Sequence, residues 1–144
     1  MNKKGFTLIE LMVVVLIISI IAALVGPTIF KKIGKSKQVA AQAQIEMLGM
    51  ALDSYRLDND DYPSELAALQ EKPTNLINPE KWDGPYLKKE IPDDPWGNPY
   101  MYICPGKVNP TTYDLLSYGS DGKEGGDNDA RDIVSWKGLE KSVR

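Results

Sequence analysis

The sequence predicts an α+β protein in which one long N-terminal helix packs on a small antiparallel sheet of about three strands. Three observations predict this class. An uncharged apolar segment runs from Leu11 to Phe30, and helix-forming residues continue as far as Leu57. An apolar stripe at helical spacing marks the second half of that helix. Short β-rich segments and a C-terminal acidic loop follow in a head that is rich in proline and glycine.

Charge divides the chain into a basic first part and an acidic second part. Residues 1–57 contain seven Lys/Arg and three Asp/Glu, whereas residues 58–144 contain ten and seventeen. An acidic head repels phosphates, so we expect no nucleic-acid partner. The chain has no histidine and one cysteine, Cys104, which we expect to be buried in a strand. This composition excludes His-based catalysis and an internal disulfide, and we expect neither an enzyme nor catalytic residues.

The apolar segment has the length of a membrane-spanning helix. Residues 11–30 are 20 uncharged positions, which matches the ~20 that an α-helix needs to cross a bilayer core. Lys3 and Lys4 before the segment favour a cytoplasmic N-terminus with the head on the far side. A plain anchor needs neither Glu10 nor Pro27. Pro27 is expected to kink or locally melt the helix, unless it only marks the membrane exit.

Residues 31–57 are predicted to continue the helix as an amphipathic half. Its apolar stripe recurs at 4-3-4-3 spacing and consists of Ala41, Ile45, Leu48, Leu52 and Tyr55. The simplest interpretation is that the stripe forms core for the head. A coiled coil is less favoured because the pattern lasts barely two heptads.

Residues 58–144 are predicted to form the head. Pro63 stops the long helix, and Ser64 is expected to cap a short helix that reaches about Gln70. A tight turn at Asp94–Tyr100 then leads into the sheet. The three predicted strands are residues 101–104, 113–118 and 132–136.

The N-terminus resembles a known processing site. Gly5-Phe6-Thr7-Leu8-Ile9-Glu10 is similar to the prepilin peptidase site of the type IV pilin superfamily, which includes the pseudopilins of type II secretion. The resemblance implies that residues 1–5 are a leader, that cleavage follows Gly5, and that the new N-terminal Phe6 is methylated. Residues 6–30 would then be a transmembrane and polymerisation helix.

Glu10 stands where the superfamily has its hallmark glutamate. A carboxylate in hydrocarbon is costly unless it finds a partner, and the new α-amino group of Phe6 on a neighbouring subunit would be one. The resemblance therefore implies that Glu10 sets the register between helices during assembly. Alternatively, Glu10 only reaches the cytoplasmic interface. For Pro27, the resemblance implies a bend of the helix inside the filament.

The head resembles that of the major pseudopilins of type II secretion, the G subunits. The matching stretches are Leu57-Asp58-Asn59 with Tyr62-Pro63, Asp94-Pro95-Trp96-Gly97, Ser117-Tyr118-Gly119-Ser120-Asp121-Gly122, and Asp132-Ile133 with Trp136. Type IV pilins usually close the head with a disulfide, which a single cysteine forbids. We therefore favour a pilin-like fold and a structural subunit of the periplasmic pseudopilus, which helps to drive folded proteins across the outer membrane.

The favoured interpretation implies a set of partners and a location. The partners are other copies in a homopolymeric filament, the inner membrane, prepilin peptidase, minor pseudopilins and the inner-membrane assembly platform. The subunit would cross the bacterial inner membrane once, with a cytoplasmic N-terminus and a periplasmic head. Two alternatives stay open: a type IV pilin for adhesion, motility or DNA uptake, and an anchored calcium-binding module that never polymerises.

An acidic loop precedes the last predicted strand. The segment Asp121–Asp132 contains five acidic residues, three glycines and two basic residues. Ca²⁺ binds carboxylate and carbonyl oxygens on pliable loops, although the spacing here is not that of an EF-hand. The resemblance implies a calcium site formed by the side chains of Asp121, Asp132, Asp127 and Asp129 and the carbonyls of Tyr118 and Lys123. The alternative is a solvated acidic turn.

Overall fold

One long helix dominates the fold. The computed structural model describes residues 5–137, so residues 1–4 of the predicted leader and residues 138–144 of the predicted head lie outside the described residues. Helix α1 runs from Leu8 to Asn59 and contains Pro27. The predicted helix is confirmed, with each end two residues later than predicted. The helix is assigned on both sides of Pro27, and a bend there in the filament stays a prediction.

Contacts divide the chain into two compact units, Met1–Lys35 and Ser36–Arg144. In the first unit, the large apolar side chains of α1 are exposed in the single chain. This part of α1 is long and apolar enough to cross a membrane, judged by length and composition. Its apolar surface needs lipid or other helices to cover it, because water solvates such a surface poorly.

The predicted stripe of α1 forms the core of the second unit. Each of its five residues is at most 3% exposed: Ala41, Ile45, Leu48, Leu52 and Tyr55. They pack with Leu69 from the loop region and with Leu115 and Ile133 from the sheet. The core interpretation of the stripe is therefore confirmed, and the second half of α1 belongs structurally to the head.

The sheet has three short antiparallel strands. They are β1 Met101–Ile103, β2 Asp114–Ser117 and β3 Ile133–Val134, in the order β1-β2-β3. Leu116 of the central strand pairs with Met101 on one side and with Val134 on the other. Cys104 lies one residue beyond β1 and is half-buried, so its predicted place inside the strand is wrong. Pro105 follows it, and proline cannot donate a hydrogen bond to the ladder.

The short helix predicted after Ser64 is a four-residue 3-10 helix, Leu66–Leu69. Glu65 occupies the cap position and no side chain caps the helix, so the predicted role of Ser64 is wrong. The segment buries Ala68 and Leu69. Packing of these two residues against the core, rather than a cap, holds the turn in place.

Tyrosine hydroxyls join the loops of the head to the C-terminal end of α1. Tyr86 donates to Asp58 across 2.8 Å, and its backbone N–H donates to the Leu69 carbonyl across 2.7 Å. Tyr62 donates to Asp53 of α1 at 3.0 Å. These bonds fasten loops in a chain whose single cysteine cannot form an internal disulfide.

Candidate functional site

The N-terminal end of α1 is closed by a reciprocal pair of residues, Thr7 and Glu10. The backbone N–H of Thr7 donates to Glu10 Oε2 at 2.9 Å, and its hydroxyl donates to the same oxygen at 2.8 Å. In return, the backbone N–H of Glu10 approaches Thr7 Oγ1 at 3.3 Å. This is a capping box, which satisfies backbone donors that the first helical turn leaves without partners.

The capping box changes how the Glu10 carboxylate is understood. In the single chain its Oε2 already accepts two hydrogen bonds inside its own helix end, but both donors, the Thr7 N–H and the Thr7 hydroxyl, are uncharged. The Thr-x-x-Glu pattern that signals such a box is present in the sequence, at Thr7 and Glu10. Gly5 and Phe6, at the predicted cleavage point, are exposed, and Phe6 retains 78% of its accessible surface.

Pro27 lies in the apolar part of α1. Proline has no N–H, so the carbonyl of Ala23 lacks its usual helical partner. Gly26, which directly precedes Pro27, has open space around its Cα. A glycine–proline pair of this kind lowers the cost of local bending in a helix.

The acidic loop connects β2 to β3 and is built from two 3-10 turns, Gly119–Asp121 and Asn128–Ala130. The two turns meet at Gly119, whose φ is +65°. A Cβ at this position would lie 2.8 Å from the carbonyl oxygen of Asp129 and 2.9 Å from that of Arg131. Only glycine allows the two halves of the loop to approach so closely.

The structure places the predicted ligands along this loop but does not gather all of them. Asp121, Asp127, Asp129 and Lys123 are exposed, whereas Tyr118 and Asp132 are half-buried. Asp121 Oδ1 accepts a hydrogen bond from the backbone N–H of Lys123 at 3.2 Å. Over residues 5–137, no three acidic or cysteine side chains form a ready-made metal cage. Any cation here would depend on backbone carbonyls as well as carboxylates.

Asp132 is the part of the loop that best fits a cation. Its Oδ2 accepts a hydrogen bond from the backbone N–H of Gly125 at 2.9 Å, which closes the loop on itself. Its Oδ1 is buried and has no hydrogen-bond partner among the described residues. A buried carboxylate oxygen without a partner is costly, and a hard cation would satisfy it. The partnerless Oδ1 of Asp132 is therefore the feature of this loop that would suit a hard cation such as calcium.

A buried carboxylate, Asp94, is connected to the start of the acidic loop through Ser117. Asp94 is 4% exposed, and its Oδ1 accepts hydrogen bonds from the backbone N–H groups of Trp96 at 3.0 Å and Asn98 at 2.9 Å. Its Oδ2 accepts from the Ser117 hydroxyl at 2.5 Å. Ser117 Oγ in turn accepts from the backbone N–H of Gly119 at 3.1 Å, at the start of the acidic loop. The predicted turn at 94–100 is confirmed, and through Ser117 it also contacts the start of the acidic loop.

A second buried carboxylate, Asp114, organises the connection between β1 and β2. It is 2% exposed and accepts from the backbone N–H groups of Val108 at 2.7 Å and Asn109 at 3.1 Å. Burial disfavours its charged form, but these hydrogen bonds outweigh burial and hold the pKa of the Asp114 carboxyl below its ordinary value. Asp114 therefore has a structural role, in which it stabilises the hairpin connection.

Two family models match the chain. The model described as "Type II secretion system (T2SS), protein G" matches residues 28–136. The model described as "Prokaryotic N-terminal methylation motif" matches residues 1–26. Together the two matches cover the capping box, the apolar part of α1, the sheet and the acidic loop.

Named relatives and a solved structure agree with these matches. The Type II secretion system core protein G of Pseudomonas aeruginosa is 47% identical over 138 residues, which cover 94% of this chain and 96% of the relative. The proteins of the same name from Vibrio cholerae and Escherichia coli K12 are 44% and 40% identical, covering 94% and 99% of this chain and 92% and 97% of the relatives. The crystal structure of the major pseudopilin from the type 2 secretion system of enterohaemorrhagic Escherichia coli matches with a TM-score of 0.57 at 34% identity, and covers 71% of this chain and 88% of that one.

Proposed function

Since the chain belongs to the protein G family of type II secretion and is a subunit of the pseudopilus, we propose that its filament drives folded proteins across the outer membrane. The observation that supports the proposal is the composition of α1. One half of the helix is an exposed apolar surface, and the other half is the core of the head. Such a subunit can wait in a bilayer and later bury the same surface against neighbouring helices.

The proposed location follows from the basic residues that precede the apolar segment. Lys3 and Lys4 favour a cytoplasmic N-terminus, so the second unit, from Ser36, would lie in the periplasm. The subunit would cross the inner membrane once and then join the periplasmic filament. Minor pseudopilins and the inner-membrane assembly platform would be its further partners.

Processing after Gly5 leaves the capping box intact. Thr7 would become the second residue of the mature chain, and its N–H and hydroxyl would still contact Glu10. The Glu10 carboxylate would therefore stay in the membrane with Oε2 hydrogen-bonded and its charge still to be paired. On assembly it would exchange these contacts for the α-amino group of Phe6 on a neighbouring subunit, a group that carries the opposite charge.

The processing step is tested by mass spectrometry of the native protein. Prepilin peptidase action predicts a mature chain that begins with methylated Phe6 and lacks residues 1–5. In a Gly5→Ala variant, we expect the chain to keep its leader. A wild-type chain that begins at Met1 would contradict processing and favour an anchored module that does not polymerise.

The secretory role is tested by deleting the gene in its host. We expect the deletion strain to retain in its periplasm the folded enzymes that wild-type cells release, and to recover release when the gene is restored. Surface motility by twitching serves as the comparison. Lost motility with normal enzyme release would favour the type IV pilin alternative.

The acidic loop is proposed to bind one calcium ion. Asp132 Oδ1 would be a ligand, with the Asp121, Asp127 and Asp129 side chains and the Tyr118 and Lys123 carbonyls completing the shell. The ion would neutralise a loop that carries five acidic and two basic residues. Because it would bind only the folded head, it would add to the free energy of unfolding by mass action.

The calcium proposal is tested by thermal unfolding of the full chain in detergent, with calcium or with a chelator. At calcium about 100-fold above the dissociation constant, the ion adds about 2.7 kcal/mol to the free energy of unfolding. We expect Asp132→Asn to abolish this gain. Glu124→Gln is the matched control, since it removes an acid from the same loop outside the proposed ligand set. An unchanged wild-type midpoint would contradict the site.

A further inference from the structure

Helix α1 is hydrogen-bonded directly to the acidic loop. The side-chain amide Nε2 of Gln38 donates to the backbone carbonyl of Asn128, in the second 3-10 turn of the loop. Gln38 lies two positions after Ser36, where the head unit begins. It also precedes Ala41, the first residue of α1 in the hydrophobic core. The bond thus joins the loop to the first turn of α1 that belongs to the head.

The acceptor of this bond is held firmly. The Asn128 carbonyl also accepts the backbone N–H of Arg131 at 3.2 Å, and Asn128 has a left-handed φ of 52°. Asp127 and Asp129, two of the proposed calcium ligands, flank it in the chain. A contact that fixes residue 128 therefore also fixes the backbone from which both carboxylates extend.

The opposite half of the loop is fixed by different elements. The side-chain amide of Asn98 donates to the Gly119 carbonyl at 3.3 Å, and Ser117 accepts the Gly119 N–H at 3.1 Å. Ser117 is the last residue of β2 and also donates to Asp94, so these contacts connect the loop to the sheet and to the turn at Asp94. The first half of the loop thus contacts the sheet side of the head, whereas the second half also contacts α1, through Gln38.

We propose that Gln38 is a positioning residue for the calcium loop, and that calcium in return fastens the first turn of α1 to the head. The proposal rests on the calcium site proposed above. An outer residue that orients ligands without touching the metal commonly changes metal affinity, because misplaced ligands must be reordered on binding. Coupling between two parts of a protein is reciprocal, so the bound ion must stabilise the contact that positions it.

Hydrogen–deuterium exchange of the full chain in detergent micelles tests the proposal, with calcium chloride or a chelator. In the wild type, we expect calcium to slow exchange both in the loop, residues 118–132, and in α1 around residues 36–42. In Gln38→Ala, calcium protection of the loop remains but needs about tenfold more calcium. The calcium effect on α1 disappears.

Two further variants separate positioning from simple loss of stability. Gln38→Glu keeps the shape of the side chain but replaces the donor with an acceptor, so we expect the same loss as in Gln38→Ala. Gln44→Ala is the matched control on the same helix, because the side chain of Gln44 accepts a hydrogen bond from Tyr100, a residue outside the loop. It is expected to retain the wild-type calcium response.

The outcomes distinguish the two proposals. If calcium slows exchange only in the loop of the wild type, the proposed coupling to α1 is wrong, but the calcium site is not. Equal weakening in Gln44→Ala, or an unchanged calcium requirement in Gln38→Ala, would overturn the positioning role. A wild-type loop without any calcium protection would refute the site itself, and the coupling with it.

Discussion

Two buried aspartates, Asp94 and Asp114, show how single residues hold this head together. Each one accepts two hydrogen bonds from backbone N–H groups of a turn. Both turns approach the sheet, where Asp94 binds Ser117 of β2 and Asp114 is itself the first residue of β2. The two aspartate side chains thus accept hydrogen bonds from backbone N–H groups in turns, where the short sheet provides no backbone partner.

Asp114→Asn is expected to lower the free energy of unfolding by about 1–3 kcal/mol, because the amide group presents a donor to backbone donors. Its depressed pKa also sets the sign of the pH dependence. The carboxylate contributes stability above the unfolded-state pKa of about 3.9, and loses it as pH falls through the lower folded pKa. Urea unfolding between pH 7 and pH 3 measures both effects.

The control for Asp114 is Asp93→Asn, which alters an exposed aspartate of the same head. We expect it to change stability by less than about 0.5 kcal/mol. If the wild type and Asp114→Asn differ by the same amount at pH 3 as at pH 7, the ionised carboxylate is not the stabilising group.

At the residue scale, some of these roles can be predicted from the sequence and others cannot. Thr7 and Glu10 form a pattern that is readable in advance, because both partners lie within one helical turn. Gln38 and Asn128 are 90 positions apart, and only the folded chain brings them together. Asp132 could be marked as a candidate ligand from composition, but its partnerless Oδ1 is a property of burial.

At the scale of elements, α1 was the part most open to prediction. Its stripe is regular because one face must pack on the sheet over several turns, and that regularity is local in sequence. The short segment at 66–69 was less predictable, since a four-residue 3-10 helix takes its shape from contacts with the core rather than from its own caps. Strand β3 has two residues, and its pairing with β2 determines its conformation more than its own composition does.

The stripe makes a direct prediction about α1. Leu48 is fully buried, and Leu48→Ala should lower the free energy of unfolding by about 2–5 kcal/mol because it leaves a cavity in the core. Leu57→Ala makes the same chemical change on the same helix, where the side chain is 83% exposed, and should cost less than about 0.5 kcal/mol. Thermal or urea unfolding of both variants would reveal the difference, and equal losses would contradict the assigned face.

At the scale of the whole molecule, α1 is the element on which the proposed processing, membrane insertion and filament assembly all depend. Glu10→Gln should leave insertion, cleavage and head stability unchanged but weaken assembly, because the neutral amide forms no ion pair with a charged amine. Each 1.4 kcal/mol lost per subunit contact weakens association about tenfold. Filament yield by electron microscopy measures this loss.

The comparison for Glu10 is Glu46→Gln, an exposed acid of the same helix within the head unit. We expect wild-type filament yield from it. Normal filaments from Glu10→Gln would show that the carboxylate only reaches the interface and sets no register.

The division of the chain at Ser36 also has a practical consequence for handling the protein. The residues of α1 in the hydrophobic core begin at Ala41, and the contact to the acidic loop begins at Gln38. A truncated chain that starts at Ser36 would keep both and would discard the surface that requires detergent. One that starts after Gln38 would keep the core but lose the loop's support. The two truncated chains share the core and differ in the Gln38 contact, so a comparison of them isolates that contact from the apolar part of α1.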